Sequence, residues 1–148
     1  MKSVKAARLA ADMGYKQVMV FRGGIPVWVK AGNKLAKTAS YAAGSIPAIN
    51  PSALADKLKA GAKLYLLDIR GPGMFKKAHL KGAVNLPLYI LDKKLSELPR
   101  DRRIVIIDHA GKQTLICGRF LKSKGWDRVV RLDGGVMAWI RKGLPATK

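Results

Sequence analysis

The chain has 148 residues, 49% of them hydrophobic, which is enough for one ordinary folded core and excludes a mostly disordered protein. It carries 29 lysine and arginine residues against 9 aspartate and glutamate residues, for a net charge of +20 at pH 7. The basic excess is spread along the chain with no run of five or six like charges. We therefore expect a basic surface with general affinity for anions rather than a specific nucleic-acid site.

Cys117 is the only cysteine of the chain, which excludes an intramolecular disulfide framework and a zinc site of the Cys-x-x-Cys kind. We expect no metal and no cofactor, and a single free thiol fits a reducing compartment such as the cytoplasm. No apolar stretch reaches the roughly 18 residues of a membrane span. The opening residues are typical of an amphipathic helix stopped by Gly14 rather than of a secretory signal, although an export signal on a longer precursor stays open.

The beginning of the chain repeats its end at an offset of 111 residues. The segment "GYKQVMVFRGGIPVWVKAG" (14–32) matches "GWDRVVRLDGGVMAWIRKG" (125–143) at six of 19 positions. Each copy predicts a helix ended by glycine, a short β-branched strand, a Gly-Gly turn and a helix that presents a tryptophan. We interpret residues 1–36 as the incomplete C-terminal part of an upstream domain and residues 37–49 as a linker.

Residues 50–148 predict a complete domain in which strands and helices alternate. The elements in chain order are a helix capped by Asn50 with Pro51 at its first position, the strand "KLYLLDIR", a loop with a second short strand, the short helix "KKLSELP", the strand "RIVII", the helix "TLICGRFLKSKG", the strand "RVVRL" and a closing tryptophan helix. This alternation is typical of an α/β domain with a parallel or mixed sheet and helices on both faces.

Two motifs of this domain resemble the rhodanese family. The segment "LLDIRGPGMFKKAHLKGAVNLPL" is similar to the family signature, and "GWDRVVRLDGGVMAWIRKGLP" resembles the family's C-terminal end. The matching positions are Asp68, Arg70, Phe75, His79, Leu80, Gly82, Ala83, Asn85 and Pro87 in the first motif and Asp133, Gly134, Gly135 and Trp139 in the second. The resemblance implies a rhodanese-like α/β fold over residues 50–148, with a central, mainly parallel five-stranded sheet and helices on both faces. It also implies a sulfurtransferase ancestry.

In sulfur-transferring members of that family, the first loop residue after the central strand is a cysteine. Backbone N–H groups and a helix N-terminus surround its sulfur, because they stabilise a thiolate and the persulfide that it becomes. The equivalent loop here comprises Asp108, His109, Ala110, Gly111, Lys112, Gln113 and Thr114. Asp108 therefore occupies the nucleophile position, and a carboxylate cannot carry a transferable sulfur.

The residues of this loop allow several interpretations. Asp108 could tie down the loop and cap nearby amides, or act as a catalytic carboxylate in acyl or phosphoryl chemistry. Cys117, nine residues later, is expected as a small buried core residue rather than as a redox or sulfur-carrying thiol. His79 is expected as a hydrogen-bonded loop residue and His109 as the exposed titrating group. Lys112 and Thr114 could contact an anion or be solvated.

Two functions follow as expectations. The favoured one is a non-catalytic rhodanese-like module that binds a small anion or a protein partner, or that has a structural role. The alternative is one part of a tandem thiosulfate sulfurtransferase whose active cysteine lies upstream of Met1. The lone strand expected in residues 1–36 would have to dock on its own domain, pair with a second chain in a homodimer, or stay loosely ordered.

Overall fold

The structure is a computed structural model that describes residues 2–35 and 44–148. The chain divides into two compact units, Met1–Lys37 and Thr38–Lys148. Most of the sequence predicted as a linker, residues 37–43, lies outside the described residues.

The described part of the N-terminal unit, residues 2–35, contains two helices. Helix α1 spans Lys2–Asp12, and helix α2 spans Gly24–Lys30. Residues 15–21 between them form no strand, so the short strand predicted around Val18 is wrong. A strand needs a neighbouring strand to satisfy its backbone N–H and C=O groups, and the described part of this unit supplies none.

The second unit is built on a sheet of five parallel strands in the order β1-β5-β4-β2-β3. The strands are β1 (Ala48–Ile49), β2 (Leu64–Asp68), β3 (Val84–Asn85), β4 (Arg103–Ile107) and β5 (Val129–Leu132). Strand β4 lies in the centre between β2 and β5, and its last four residues are buried. This burial explains the uninterrupted apolar run "IVII", since a central parallel strand has no face toward water.

Helices cover both faces of this sheet, which confirms the predicted α/β architecture. They are α3 (Pro51–Lys59), α4 (Pro72–Lys77), a 3₁₀ helix (Leu88–Glu97), α5 (Thr114–Ser123) and α6 (Gly135–Arg141). One core layer joins the sheet to α5 and the 3₁₀ helix through Cys117, Leu121 and Leu91. The other joins the sheet to α3 and α6 through Leu54 and Trp139.

The folded unit includes residues that were assigned to the linker. Ile46 is buried in the core, and Ala48 and Ile49 form β1, which pairs with β5. The Nε of Arg119 donates a hydrogen bond to the carbonyl oxygen of Gly44 at 3.1 Å. The boundary drawn at residue 50 is therefore too late, because a two-residue strand is too short to produce an alternating pattern.

Local chemistry determines where the helices begin. The Oδ1 of Asn50 accepts a hydrogen bond from the amide of Ala53 at 2.8 Å, which confirms the predicted cap of α3. Residues 72–77 form helix α4 where a loop was expected, and Pro72 stands at its first position, where a missing N–H costs nothing. In the part of the chain that the structure describes, no helix is long and apolar enough to cross a membrane.

Candidate functional site

The candidate site is the loop of residues 108–114, which connects the central strand β4 to helix α5. Asp108 follows the last residue of β4 and is only 2% exposed. Side chains at the carboxyl end of a central parallel strand lie where open α/β sheets bind their ligands. The strand therefore delivers Asp108 to the place where the resemblance implies a nucleophile.

The carboxylate of Asp108 is held by the amides of its own loop. Its Oδ1 accepts a short hydrogen bond from the amide of Gly111, and its Oδ2 accepts one from the amide of Gln113 at 2.7 Å. The hydroxyl of Thr114 donates to the carbonyl oxygen of Gly111 at 3.2 Å. Two N–H groups that could hold an anionic ligand are thus occupied by a side chain of the protein.

Glycines pack the loop against the turn before α6. Gly111 has a φ of +80°, and a Cβ there would lie 2.9 Å from the backbone nitrogen of Gly134. A Cβ on Gly135 would lie 2.7 Å from Oδ1 of Asp108. The amides of Val136 and Met137 donate to the carbonyl oxygens of Asp108 and His109 at 2.9 and 3.0 Å. The Gly-Gly pair is thus a wall of the site.

A cavity of about 640 Å³ opens beside the loop. Ala110 and Gly111 line it on the loop side, and Arg141 and Lys142 line it at the end of α6. Asn50, Pro51, Asp133, Gly134 and Ala138 complete the lining. Asn50, Arg141 and Lys142 were not identified as site residues from the sequence. The Gly-Gly pair before α6 could have indicated the two basic residues. It predicts that α6 begins against the loop, so that later residues of this helix lie beside the loop.

The remaining loop residues differ in exposure. His109, Lys112 and Gln113 are exposed, as expected for His109, whereas Thr114 is buried. Because its hydroxyl bonds to the loop backbone, Thr114 belongs to the loop's internal structure and is not solvated. Among the described residues, no group of three or more histidine, cysteine, aspartate or glutamate side chains is arranged to hold a metal ion.

Asp68 and Arg70 form a buried ion pair at the end of β2. The Nη2 of Arg70 donates to Oδ2 of Asp68 at 2.6 Å, and its Nε donates to Oδ1 at 2.9 Å. Nη2 also donates to the carbonyl oxygen of Ala78 at 2.7 Å, while the Nδ2 of Asn85 donates to the backbone carbonyls of Asp68 and Arg70. These signature residues thus fasten the chain segments around β2 and β3 together.

His79 lies in a loop and is held there by hydrogen bonds. Its ring stacks on Phe75 with the ring centroids 3.9 Å apart, and its Nδ1 lies 3.0 Å from the carbonyl oxygen of Phe75. Its backbone pairs with Thr147 in an antiparallel bridge, each amide donating to the other carbonyl at 2.8 Å. His79 therefore helps to attach the C-terminal segment to the domain.

Cys117 is fully buried on the inner face of α5. Burial, and secondarily the charge of Asp108, raises the pKa of its thiol to about 12. A thiol with so high a pKa is protonated at neutral pH and is a poor nucleophile. The neighbouring Ile116 is about half exposed, because the buried stripe of α5 runs through Cys117 and Leu121.

The fold and the site together define the class of protein: a parallel α/β domain whose central strand ends in a loop that wraps its amides around one side chain. The chain belongs to the family of the rhodanese-like domain, whose model matches residues 50–142. The family assignment made from the two motifs is thereby confirmed.

Curated relatives of this chain include sulfurtransferases. The chain is 33% identical over 97 residues to a sulfurtransferase of Allochromatium vinosum, an alignment that covers 66% of this chain and 91% of that protein. It is also 33% identical over 100 residues to the putative sulfur carrier protein YrkF of Bacillus subtilis, covering 68% of this chain and 54% of the relative.

Solved structures of similar fold carry the same family name. A rhodanese-related protein from Thermoplasma volcanium superposes with a TM-score of 0.61 at 26% identity, covering 68% of this chain and 97% of that one. The rhodanese-like domain of an Anabaena protein gives a TM-score of 0.63 at 28% identity, with 70% and 80% covered.

Proposed function

We propose that residues 44–148 form a rhodanese-like binding module that does not transfer sulfur through its loop. The observation that carries the proposal is the engagement of Asp108, whose two carboxylate oxygens accept the amides of Gly111 and Gln113. In a sulfurtransferase loop these amides would serve a thiolate and its persulfide. Here the anion they bind is a permanent part of the chain.

Asp108 cannot act as the nucleophile in sulfur transfer. A thiolate attacks the outer sulfur of thiosulfate, a persulfide forms, and sulfite leaves; cyanide then takes the sulfur as thiocyanate and restores the thiolate. A carboxylate has no sulfur atom that could accept the outer sulfur of thiosulfate as a persulfide. Its negative charge also repels thiosulfate at contact distance. Cys117 cannot replace the missing thiol while it stays buried with a raised pKa.

The ligand that we propose for the module is an anionic group of a partner. The cavity beside the loop carries the guanidinium of Arg141 and the ammonium of Lys142 against one carboxylate, that of Asp133. Exposed Lys112 and His109 lie on the adjoining loop. A net positive cavity attracts acidic groups and loses affinity as salt screens it.

The decisive experiment is a thiosulfate:cyanide assay on three proteins: the unaltered chain, Cys117→Ser and Asp108→Cys. We expect no turnover from the first two. Asp108→Cys should form a persulfide, detected as a mass increase of about 32 Da after thiosulfate treatment, because the freed amides of Gly111 and Gln113 can then bind the sulfur. Turnover by the unaltered chain that is lost in Cys117→Ser would overturn the proposal.

Anion binding is tested separately by titrating the chain with hexaglutamate and following amide resonances by NMR. Ala110 and Gly111 should shift, and an Arg141→Gln/Lys142→Gln double variant should weaken binding about tenfold, as expected when two cations are removed from one cavity. Lys122→Gln/Lys124→Gln, which removes two charges from the end of α5, is the matched control. Equal weakening of hexaglutamate binding in both double variants would show that binding depends on net charge alone. That result would contradict a binding site beside the loop.

A second candidate function is a sulfurtransferase assembled with another polypeptide that carries the active cysteine. The observation that favours it is the N-terminal unit, whose sequence repeats the end of the domain.

A further inference from the structure

The N-terminal unit reproduces the end of α5, the Gly-Gly turn and α6 at a constant offset of 111 residues, whereas its residues 18–21, which are equivalent to β5, form no strand. Helices α2 and α6 have seven residues each and begin and end at equivalent positions, and the last residues of α1 and α5 are also equivalent. The four shared glycines take left-handed conformations in both copies, with φ of 88°, 86°, 58° and 80° in the first and 87°, 65°, 59° and 67° in the second.

The hydrogen bonds of the two copies repeat as well. The Nε1 of Trp28 donates to the carbonyl oxygen of Lys34 at 3.3 Å, and the Nε1 of the equivalent Trp139 donates to that of Pro145 at 2.9 Å. Three backbone hydrogen bonds at the helix ends recur at the same offset. In each pair below, the amide of the first residue donates to the carbonyl oxygen of the second. The first copy has Tyr15–Ala10, Gly32–Val29 and Asn33–Trp28, and the second copy has Trp126–Leu121, Gly143–Ile140 and Leu144–Trp139. The structure of the helices and turns is therefore encoded in both copies.

The two copies differ in the exposure of their apolar side chains. Trp28 is 42% exposed and Phe21 56% exposed, whereas the equivalent Trp139 and Leu132 are 3% and 0% exposed. Val18 and Ile25 are likewise exposed, and the residues equivalent to them, Val129 and Val136, are buried. Leu132, Val136 and Trp139 belong to one core layer, and Val129 belongs to the other. Apolar side chains that are exposed together on a short segment mark an interaction surface.

The structure of the second copy identifies what such a face packs against. Strand β5 lies between β1 and β4, and α6 packs with Leu54 of α3 in one core layer. The turn before α6 closes on the loop through Gly135 and the amide of Val136. The equivalent residues of the N-terminal unit thus correspond to the place between β1 and β4 in a parallel sheet of the same type.

We infer that residues 2–35 are a docking element that closes a rhodanese-type sheet supplied by a polypeptide outside residues 1–148. In the complex, residues 18–21 pair as a parallel strand with the partner's central strand, and the Gly23–Gly24 turn forms a wall of the partner's loop. The inference concerns this unit alone and does not depend on the function proposed for Asp108.

A second copy of this chain is the wrong occupant. Its central strand β4 already has β2 and β5 as neighbours, and its edge strands β1 and β3 are only two residues long. Both copies would also carry a net charge of +20. Since residues 2–35 hold seven basic residues and one acidic residue, charge complementarity favours a partner with an acidic surface.

Two sequence differences between the copies describe the partner further. Pro26 stands where Met137 donates its amide to the loop carbonyl of His109, so the partner's loop receives one hydrogen bond fewer. Ala7 stands where Gly118 lies under Ile46, and a Cβ on Gly118 would come within 2.8 Å of that side chain. The partner therefore needs a smaller residue than isoleucine at the position equivalent to Ile46.

The test is a graft within the full chain, in which residues 125–143 are replaced by the sequence of residues 14–32. If the first copy fits a rhodanese-type sheet, the graft unfolds in one cooperative transition with Tm lowered by about 10 °C. The same graft carrying Phe21→Asp in the grafted segment should be unfolded. Phe21→Asp at its own position in the unaltered chain should leave Tm unchanged, because that side chain is exposed.

A shorter graft, which replaces residues 129–135 by residues 18–24 but retains Leu132, avoids overpacking at that fully buried position. Failure of both grafts to fold would overturn the inference, and so would a graft that tolerates the aspartate. Light scattering on the unaltered chain provides the last arm. We expect a monomer at 100 μM, and a dimer that Phe21→Asp dissociates would replace the proposed partner by a second copy.

Discussion

Gly135 lies against Asp108 so closely that no other residue fits at its position. A Cβ on Gly135 would come within 2.5 Å of the carbonyl oxygen of Asp108 and 2.7 Å of its Oδ1, and the φ of Gly135 is +59°. Two constraints therefore act on one residue. The backbone conformation disfavours a side chain, and the loop occupies the space that a side chain would need.

Gly135→Ala should consequently destabilise the domain far more than Gly143→Ala. Gly143 has a similar φ of +67°, but a Cβ added there would meet nothing within 4 Å, so its substitution isolates the conformational cost of about 1–2 kcal/mol. We expect Gly135→Ala to exceed this by about 2 kcal/mol in urea unfolding. Equal losses in the two variants would show that the loop moves away from α6 without cost.

The buried ion pair of Asp68 and Arg70 predicts a large loss of folding stability when only one of its two partners is removed. Arg70→Met removes the guanidinium bonds. Among the described residues, the buried carboxylate of Asp68 then keeps one hydrogen-bond partner, the backbone amide of residue 70 at 3.0 Å. Such an uncompensated charge costs about 3–5 kcal/mol. Arg102→Met is the control, since the Arg102–Asp101 pair is exposed and 3.8 Å apart. A loss below about 1 kcal/mol for Arg70→Met would contradict the assignment of a structural role.

Cys117 predicts a pH dependence of stability in the alkaline range. Its pKa in the folded chain is about 12 against an ordinary value of 9.0, so the folded state retains the proton that the unfolded state loses. Stability is unaffected below pH 9 and falls as pH rises from 9 toward 12. Between pH 9 and 11, the unaltered chain should lose about 2 kcal/mol more than Cys117→Ala. Parallel pH profiles of the two proteins would contradict the burial of a titrating thiol.

The same thiol should be protected from modification. At pH 8 we expect Ellman's reagent to react with Cys117 at least 100-fold more slowly in the native chain than in urea, because reaction requires an opening of the core. The rate in the unfolded chain is the internal control. Rapid reaction in the native state would reopen the redox role that the sequence left as an alternative.

Ile46 tests where the domain begins. Its side chain is 4% exposed and packs on Gly118, so Ile46→Ala should cost about 2–4 kcal/mol. Ile140→Ala, at a position 46% exposed on α6, should cost less than about 1 kcal/mol. If the two substitutions had equal effects in thermal unfolding, residues 44–49 would behave as a linker after all.

Much of the second unit was predictable from local patterns. The apolar run before Asp108 predicts a buried central strand, and the pair Asn50–Pro51 predicts the start of α3, because both depend on neighbours in the sequence. Strand β1 and helix α4 were not predicted, since two and six residues are too few to show a period. The cavity residues Arg141 and Lys142 were missed because their position beside the loop depends on how α6 packs, which no spacing along the chain expresses.

The repeated segments separate what the sequence determines by itself from what the tertiary structure decides. Both copies form helices of the same bounds and place their glycines in the left-handed region, since these features depend on hydrogen bonds and sterics within a few residues. Only residues 129–132 become a strand, whereas residues 18–21 do not. A parallel strand has no bonding partner within its own segment, so its formation depends on the neighbours that the rest of the fold provides.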